Sequence, residues 1–454
     1  MRRARLVVVA VVVGAVRAAA AEEPPPFQDP ALEQRLRALE ERLQRLEEEN
    51  RGLKEGQLRL QSRLLPVAAL TISDGVKLRF NGYVDFGFFA PMGDGVAYAR
   101  DVGHQVHPEL ASYPWVFLGD PWANAVNAQG DSADLGLDRT NIARFDPIHS
   151  HGKSTFLVNM VNLTMAASLG EHLFAEASLN FEPRQGDLGS PGDVFDVDLA
   201  YFEYKPSSKL DLHLFAGKFE STFGIEYRRR KAPDRFGITP SLIARYTVGT
   251  PTGLKIRGSF FNGLITYNFA VTNGSMSTEK FAHFFNETDS NQFKTLSGRL
   301  SIAHKLGPVD VEVGGSGMFG AQDLQPADNL YHWQVGVDLR LDVADFSLRA
   351  EWLKSNADGG GVVNAPLLDA QGAYGEVTYQ FLSWLGVLAR VDWRQARLFA
   401  APNFYLSNDL RVTAALRFDI HFNVVAKAEY VRVQELGGPE IDDDVFTSSL
   451  IFRF

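Results

Sequence analysis

The last ten residues, Val445-Phe446-Thr447-Ser448-Ser449-Leu450-Ile451-Phe452-Arg453-Phe454, alternate and then stop on an aromatic side chain. Phe446, Ser448, Leu450, Phe452 and Phe454 fall on one face of a strand, and Thr447, Ser449, Ile451 and Arg453 on the other. A chain that stops inside a strand needs neighbours to hold its last backbone groups. A closed membrane barrel, whose last strand pairs with its first, supplies them.

The same period-two alternation begins at Val76. Val76, Leu78, Phe80, Gly82, Val84, Phe86 and Phe88 stand against Lys77, Arg79, Asn81, Tyr83 and Asp85, an apolar face against a charged one. Later, Val387, Ala389, Val391 and Trp393 oppose Arg390, Asp392 and Arg394. Val412, Ala414, Leu416 and Phe418 oppose Arg411 and Arg417, and Val424, Ala426, Ala428 and Tyr430 oppose Lys427 and Glu429. Alternation alone also suits a soluble sandwich. Length separates the two: these strands run to about ten residues, enough for a tilted bilayer crossing, whereas globular strands average about five or six. The charged faces then line a wet lumen and the apolar faces meet lipid. The predicted fold class is all-β, a transmembrane antiparallel β-barrel over 70–454.

Strands are predicted at 76–90, 155–168, 171–182, 194–205, 210–222, 251–260, 263–273, 292–304, 309–320, 331–341, 345–354, 371–381, 385–395, 408–418, 421–432 and 445–454. That is about sixteen, an even number as in bacterial barrels. Tight turns at Gly170, 205–209, Asn262, 306–308 and 342–344 alternate with long segments at 183–193, 223–250, 274–291, 321–330, 355–370, 396–407 and 433–444. Short turns on the periplasmic side put both barrel ends there. Strands 155–168 and 194–205 carry polar residues on both faces, so a bulge is expected in them.

Ahead of the barrel, Arg2, Arg3 and Arg5, the apolar run Leu6 to Val16 and the small residues Ala18 to Ala21 read as a secretory signal peptide over 1–21. A linker, 22–30, leads to a heptad seam over 31–65. Leu32, Leu39, Leu46, Leu53 and Leu60 take its d positions, and Leu36, Leu43, Asn50, Gln57 and Leu64 its a positions. So narrow a stripe predicts self-association as a periplasmic coiled-coil helix, not docking on the body. The mature region has no apolar run of about 18 residues, so any membrane crossing is made by strands. With Cys 0 there is no disulfide or thiolate, and a net charge of -10 without a basic stripe argues against nucleic acid.

Gly217-Lys218-Phe219-Glu220-Ser221-Thr222-Phe223-Gly224 resembles the Gly-x-Phe-x-x-Pro-Phe-Gly strand end of phosphate-selective porins and related OmpL-like bacterial β-barrel porins, with Thr222 at the usual Pro. The resemblance implies a homotrimeric diffusion channel of the cell outer membrane, with an N-terminal coiled segment in some members. It also implies that the terminal aromatic, here Phe454, is the signal read by the outer-membrane assembly machinery. It does not reach substrate.

The densest basic cluster is Arg228-Arg229-Arg230-Lys231, with Arg235 nearby in the long loop 223–250. Folded into the pore, these residues would form a constriction that attracts anions, because guanidinium groups suit phosphate and carboxylate. On a solvated outer loop, the default reading, they meet lipopolysaccharide phosphates or water. Strand parity assigns Arg79, Arg257, Arg299, Arg349, Arg390, Arg394, Arg411 and Arg417 to the lumen together with Asp85 and Glu351. These mixed signs suit a transverse field but set no ion preference. The insert 91–154 reads as a long extracellular loop. His149 and His151 lack a third metal ligand, and no Gly-x-Ser-x-Gly elbow occurs, so no catalytic, cofactor or metal site is predicted. The expected function is passive diffusion of small hydrophilic solutes, anionic ones if the cluster reaches the pore. The alternative is a structural or adhesion barrel that anchors the stalk.

Overall fold

The computed structural model describes residues 70–73, 76–91, 154–181, 195–207, 210–274, 289, 291–321, 330–358, 367–400, 403–436 and 444–454, all within the unit Leu64–Phe454. The signal peptide (1–21), linker (22–30) and coiled coil (31–65) lie outside the described residues, as does the insert 91–154 apart from its ends.

The strands are β1 (Leu70–Ser73), β2 (Val76–Pro91), β3 (Thr155–Leu169), β4 (Leu173–Phe181), β5 (Phe195–Tyr204), β6 (Leu212–Lys218), β7 (Thr252–Phe260), β8 (Ile265–Thr272) and β9 (Thr295–Leu306). They continue with β10 (Val309–Ala321), β11 (Tyr331–Val343), β12 (Phe346–Ala357), β13 (Leu367–Leu382), β14 (Leu385–Ala400), β15 (Asn403–His421), β16 (Val424–Glu435) and β17 (Val445–Arg453). From β2 onward each strand is antiparallel to its chain neighbour, and β17 pairs back to β2 from Val445↔Pro91 to Arg453↔Tyr83. All sixteen predicted strands are present and form a closed ring. The short β1, not predicted, pairs Leu70↔Leu78 and Thr71↔Lys77 against the start of β2. The end of the chain is held as its pattern requires. Phe454 N donates to Gly82 O at 3.1 Å and Gly82 N to Phe454 O at 3.0 Å. The Phe454 ring lies over Gly82, where a Cβ would come within 2.8 Å of Cζ.

Closure leaves no strand edge, which in hydrocarbon would cost several kcal/mol for each unsatisfied group. The distribution of side chains is inverted relative to a soluble protein. Leu163, Leu254, Phe269, Ile302, Val337, Val391, Val412 and Leu450 are exposed on the outside, while Asp85, Arg299, Asp338, Arg390, Asp392, Arg411, Lys427 and Glu429 are buried inside. Among the tight turns, Leu306↔Val309 closes around Gly307 (φ 60) and Val343↔Phe346 around Ala344 (φ 48).

Several boundaries differ from expectation: β6 stops at Lys218, not 222, where the chain leaves the wall, β13 starts at Leu367, not 371, and β14 and β15 run well past 395 and 408. The segment 396–407, expected as a long loop, is mostly strand, because β14 and β15 stay paired out to Ala400↔Asn403. On this long-loop side the outward residues turn polar and pair with one another: Gln371 Nε2 donates to Gln395 Oε1 at 2.8 Å, and Trp393 Nε1 to Asn408 Oδ1 at 3.3 Å. The sheet therefore continues past the apolar belt, and loss of apolar alternation there does not mark a strand end. Two register shifts away from the turns fall in the strands that two-faced polarity marked. Between Asp85 and Phe86 of β2 the register skips Asn159 of β3, and between Ser178 and Leu179 of β4 it skips Asp198 of β5. Each extra residue turns inward: Asn159 Nδ2 donates to Asp85 Oδ1 at 3.0 Å, and Asp198 is buried beside Leu199.

Ala344 occupies the first central position of a two-residue hairpin turn, where Gly is favoured because its φ is positive. Ala344→Gly should stabilise the barrel by roughly 1 kcal/mol. Urea unfolding in lipid vesicles, followed by tryptophan fluorescence, checks this; an unchanged or lower midpoint would refute it.

Candidate functional site

Between β6 and β7 the chain turns into the barrel, so the default reading of 223–250 as a solvated outer loop is corrected. The two legs of the segment are tied where they leave the wall: Phe219 N donates to Pro251 O at 3.0 Å and Ser221 N to Gly249 O at 2.9 Å. Both motif glycines are needed for the turn. Gly217 has φ 122, and a Cβ on it would meet Ala200 O at 2.2 Å; Gly224 has φ 67, and a Cβ there would meet Glu351 Oε2 at 2.1 Å. Thr222, at the motif's usual Pro, donates through Oγ1 to Ser297 Oγ at 2.8 Å, and Gly224 N donates to Ser316 Oγ at 3.0 Å. The first leg is thus anchored on β9, β10 and β12.

A 3-10 turn, Glu226–Arg229, then launches the basic cluster across the lumen. Arg228 donates in bidentate fashion to Glu312 of β10 at 3.0 and 3.1 Å. Arg230 does the same to Asp198 of β5 at 2.5 and 2.7 Å. Five residues past Arg228, Pro233 O accepts from Arg453 of β17 at 2.8 Å. β10 and β17 stand seven places apart in the ring, nearly opposite. Sixteen strands spaced ~4.8 Å and tilted ~40° enclose a cylinder roughly 30 Å across. Five extended residues reach at most ~18 Å. With a long arginine at each end they form a crossbar over the bore.

The far half of the segment lies on β14 to β17, held by buried cations. Lys427 Nζ donates to the carbonyls of Ala232 (2.6 Å), Arg235 (2.5 Å) and Gly237 (2.9 Å). Arg417 Nη1 donates to Pro233 O at 3.1 Å and Arg235 O at 2.9 Å. Arg390 donates to Thr239 O at 2.8 Å and Pro240 O at 2.9 Å, and Arg411 also donates to Pro240 O. Carboxylates take the amides: Glu429 accepts from Ile238 N at 2.6 Å and Thr239 N at 3.0 Å, and Asp392 from Leu242 N at 3.2 Å. Tyr246, in the helical turn Ala244–Thr247, accepts at its hydroxyl from Arg394 Nε at 3.0 Å. Apolar side chains seat on wall glycines. A Cβ on Gly336 would meet the Phe223 ring at 2.8 Å, one on Gly372 would meet Ile243 at 2.5 Å, and one on Gly386 would meet Phe236 at 2.5 Å.

The lumen residues named from parity therefore separate into two groups. Arg390, Arg394, Arg411 and Arg417 lie under the segment and bind it, and Glu351 is buried against Gly224 with Tyr374 Oη donating to it at 2.8 Å. Asp85 is buried with Ser449 and Asn159. Arg257 lies 3.5 Å from Glu203, and Arg299 pairs with Asp338 and, at 2.9 Å, with Glu312. Arg79 and Arg349 are partly exposed. In the crossbar, Arg228 keeps 36% of its side chain exposed against 12% for Arg230. Arg229, Lys231 and Arg235 are part-exposed as well. Burial works against the Arg229 charge, Glu376 favours it, and Arg340 opposes it, for a net downward shift. Burial likewise raises the Glu226 carboxyl, against the pull of Arg390 and the hydrogen bonds from Ser241.

Sequence reading missed Asp198, the anchor of Arg230. Simple alternation groups it with lipid-facing Ala200 and Phe202, and only the bulge turns it inward. A second missed signal is visible once register is known. Arg417 and Lys427 stand directly opposite each other, and like charges so placed need an acceptor from elsewhere.

No family model matches the chain, and no curated protein sequence matches it. Solved structures do. The outer-membrane channel DcaP of Acinetobacter baumannii is similar over 86% of this chain and 100% of its own, at 13% identity and a TM-score of 0.51. In-vitro folded OmpT, an outer membrane protein of Vibrio cholerae, is similar over 86% of this chain and 100% of its own, at 10% identity and a TM-score of 0.50. Salmonella typhi OmpF, in complex with daunomycin, is similar over 85% of this chain and 100% of its own, at 11% identity and a TM-score of 0.50. The likeness is one of fold: the chain has the closed barrel of outer-membrane porins.

Lys427→Met would leave three carbonyls of the inward segment without their donor, at about 1–3 kcal/mol for each group left unsatisfied. Because the chain has no native cysteine, a cysteine at the buried Ile238 reports on docking. Its labelling by a membrane-impermeant maleimide should rise at least tenfold when Lys427→Met is added. Equal rates would mean that Lys427 does not hold the segment.

Proposed function

We propose that the protein is a porin of the outer membrane, a passive diffusion channel for small hydrophilic solutes, narrowed by the crossbar of segment 219–250. The observation that carries this reading lies inside the ring. On the crossbar and on the wall next to it, Arg228 and Arg340 keep 36% and 37% of their side chains exposed, so water reaches the lumen at the level of the obstruction. Solutes then pass by electrodiffusion along a charged wall, and Arg228, Arg229, Arg230, Lys231 and Arg235 border the narrowest part. Because Arg229 and Lys231 project from the crossbar with part of their charge facing water, the passage favours anions.

The rest of the molecule follows from this placement. A secretory signal peptide, 1–21, delivers the chain, the 31–65 coiled coil joins three copies on the periplasmic side, and the long loops meet lipopolysaccharide. Phe454, on the lipid-facing end of β17, is the residue that the outer-membrane assembly machinery recognises.

Purified protein in planar bilayers should give discrete conductance steps. A barrel that only anchors the stalk or serves adhesion would give none, and silence would defeat the pore reading. With Arg229→Gln and Lys231→Gln combined, reversal potentials in a KCl gradient should show the anion/cation permeability ratio falling at least twofold; an unchanged ratio would remove these residues from selectivity. Deleting Phe454 should lower the yield of folded barrel in membranes several-fold while surviving channels conduct normally. Normal yield would count against an assembly role.

A further inference from the structure

Two neighbouring-strand pairs put cations opposite each other on the inner face: Arg417 with Lys427, and Arg340 with Arg349. Opposed cations on adjacent strands repel, so each pair requires acceptors. The first pair has them, in the carbonyls of Ala232, Pro233, Arg235 and Gly237. The second pair makes no hydrogen bond to those carbonyls. Arg340 donates through Nε to Asp342 and stands 4.0 Å from Glu312. Arg349 has no hydrogen bond or ion pair to any described residue, and its buried Nε lacks an acceptor.

A third guanidinium joins them. The bidentate hold of Arg228 on Glu312 fixes the 3-10 turn against β10, whose Glu312 stands opposite Arg340. Arg229 follows at once, within electrostatic reach of Arg340 and Arg349. It too makes no hydrogen bond or ion pair to a described residue. Nearby carboxylates are already engaged: Glu312 by Arg228 and Arg299, Asp342 by Arg340, and Glu376 by Arg390 at 3.6 Å. Two guanidinium groups, Arg229 and Arg349, therefore have donors without acceptors among the described residues, beside a third, Arg340, which keeps 37% of its side chain exposed. Planar guanidinium forks in that arrangement match the oxygen pairs of a carboxylate or phosphate.

We propose that Arg229, Arg340 and Arg349 form a binding site for one small oxyanion, on the short-turn half of the lumen a few residues from the Ala344 turn. The site rests on the reading of the lumen as a water-filled path. A permeating oxyanion would pause here, exchanging its hydration for guanidinium donors, and binding must stay weak enough for it to leave.

Equilibrium dialysis of the full-length folded protein in detergent, with radiolabelled inorganic phosphate and separately labelled acetate, tests this independently of conduction. Saturable binding near one anion per chain is expected. Arg349→Gln and Arg229→Gln should each weaken it at least tenfold, Arg349→Lys should weaken it less, and Arg79→Gln should leave it unchanged. Phosphate binding without acetate binding assigns the site to phosphate-class ligands, and the reverse to carboxylates. Heat-modifiable gel mobility confirms folding of each variant. If Arg349→Gln does not fold, Arg229→Gln, on the crossbar, decides. No saturable binding of either anion, or affinities within twofold of wild type in the Gln variants, would overturn the site. Bilayer conductance keeps the two readings distinct: conduction without anion binding sinks the site alone, and binding that depends on Arg349 without conduction sinks the pore alone.

Discussion

A lysine ammonium and three arginine guanidinium groups, carried inward by β14, β15 and β16, donate to the backbone carbonyls of one irregular segment, and the interior of this barrel depends on that exchange. Lys427 donates to Ala232, Arg235 and Gly237, and Arg390, Arg411 and Arg417, besides their carboxylate partners, donate to Pro233, Arg235, Thr239 and Pro240. A buried cation without acceptors is strongly destabilising. Buried irregular backbone without donors is destabilising too. Each removes the other's penalty, which fixes a segment with little regular structure against a wall that alone would repel itself.

The carboxylates complete the exchange from the other side. Glu429 and Asp392 accept amides of Ile238, Thr239 and Leu242, and both also neutralise cations beside them. Glycines do the equivalent for shape. Gly336, Gly372 and Gly386 leave hollows in the wall that Phe223, Ile243 and Phe236 fill. The segment is therefore docked by charge, hydrogen bonding and packing together. Its outer edge, which carries Arg228 and Arg229, is the part turned towards water. The same residue types have different surroundings according to whether a carbonyl accepts from them: Arg417 and Lys427 hold the segment, and Arg340 and Arg349 stay part-exposed without one.

Much of the barrel was legible in the chain. Strict alternation over segments of about ten residues gave the sixteen strands and their inside and outside faces, because a side chain's face in a strand is set by parity alone. It also gave the pairing of the last strand with β2 and two of the strands in which the register shifts. What it misjudged shows why local pattern is insufficient. The segment 396–407 lost apolar alternation yet remained strand, since the backbone pairing of β14 with β15 runs on to Ala400↔Asn403. Asp198 was assigned to no site because a single bulge reverses parity beyond it.

The sequence by itself determined a closed β-barrel with an apolar exterior and a charged interior, since both follow from the two-residue period and the cost of an unpaired edge in lipid. Its basic run, 228–231, was visible as a run, but a run has no address. Only the tertiary structure decided that 219–250 folds inward, because its anchors, Asp198, Glu312, Asp392, Lys427 and Glu429, stand on four different strands and converge only when the ring closes. The same closure sorted the interior charges into those that bind the segment and those that meet water, a division set by distance in space that no spacing along the chain encodes.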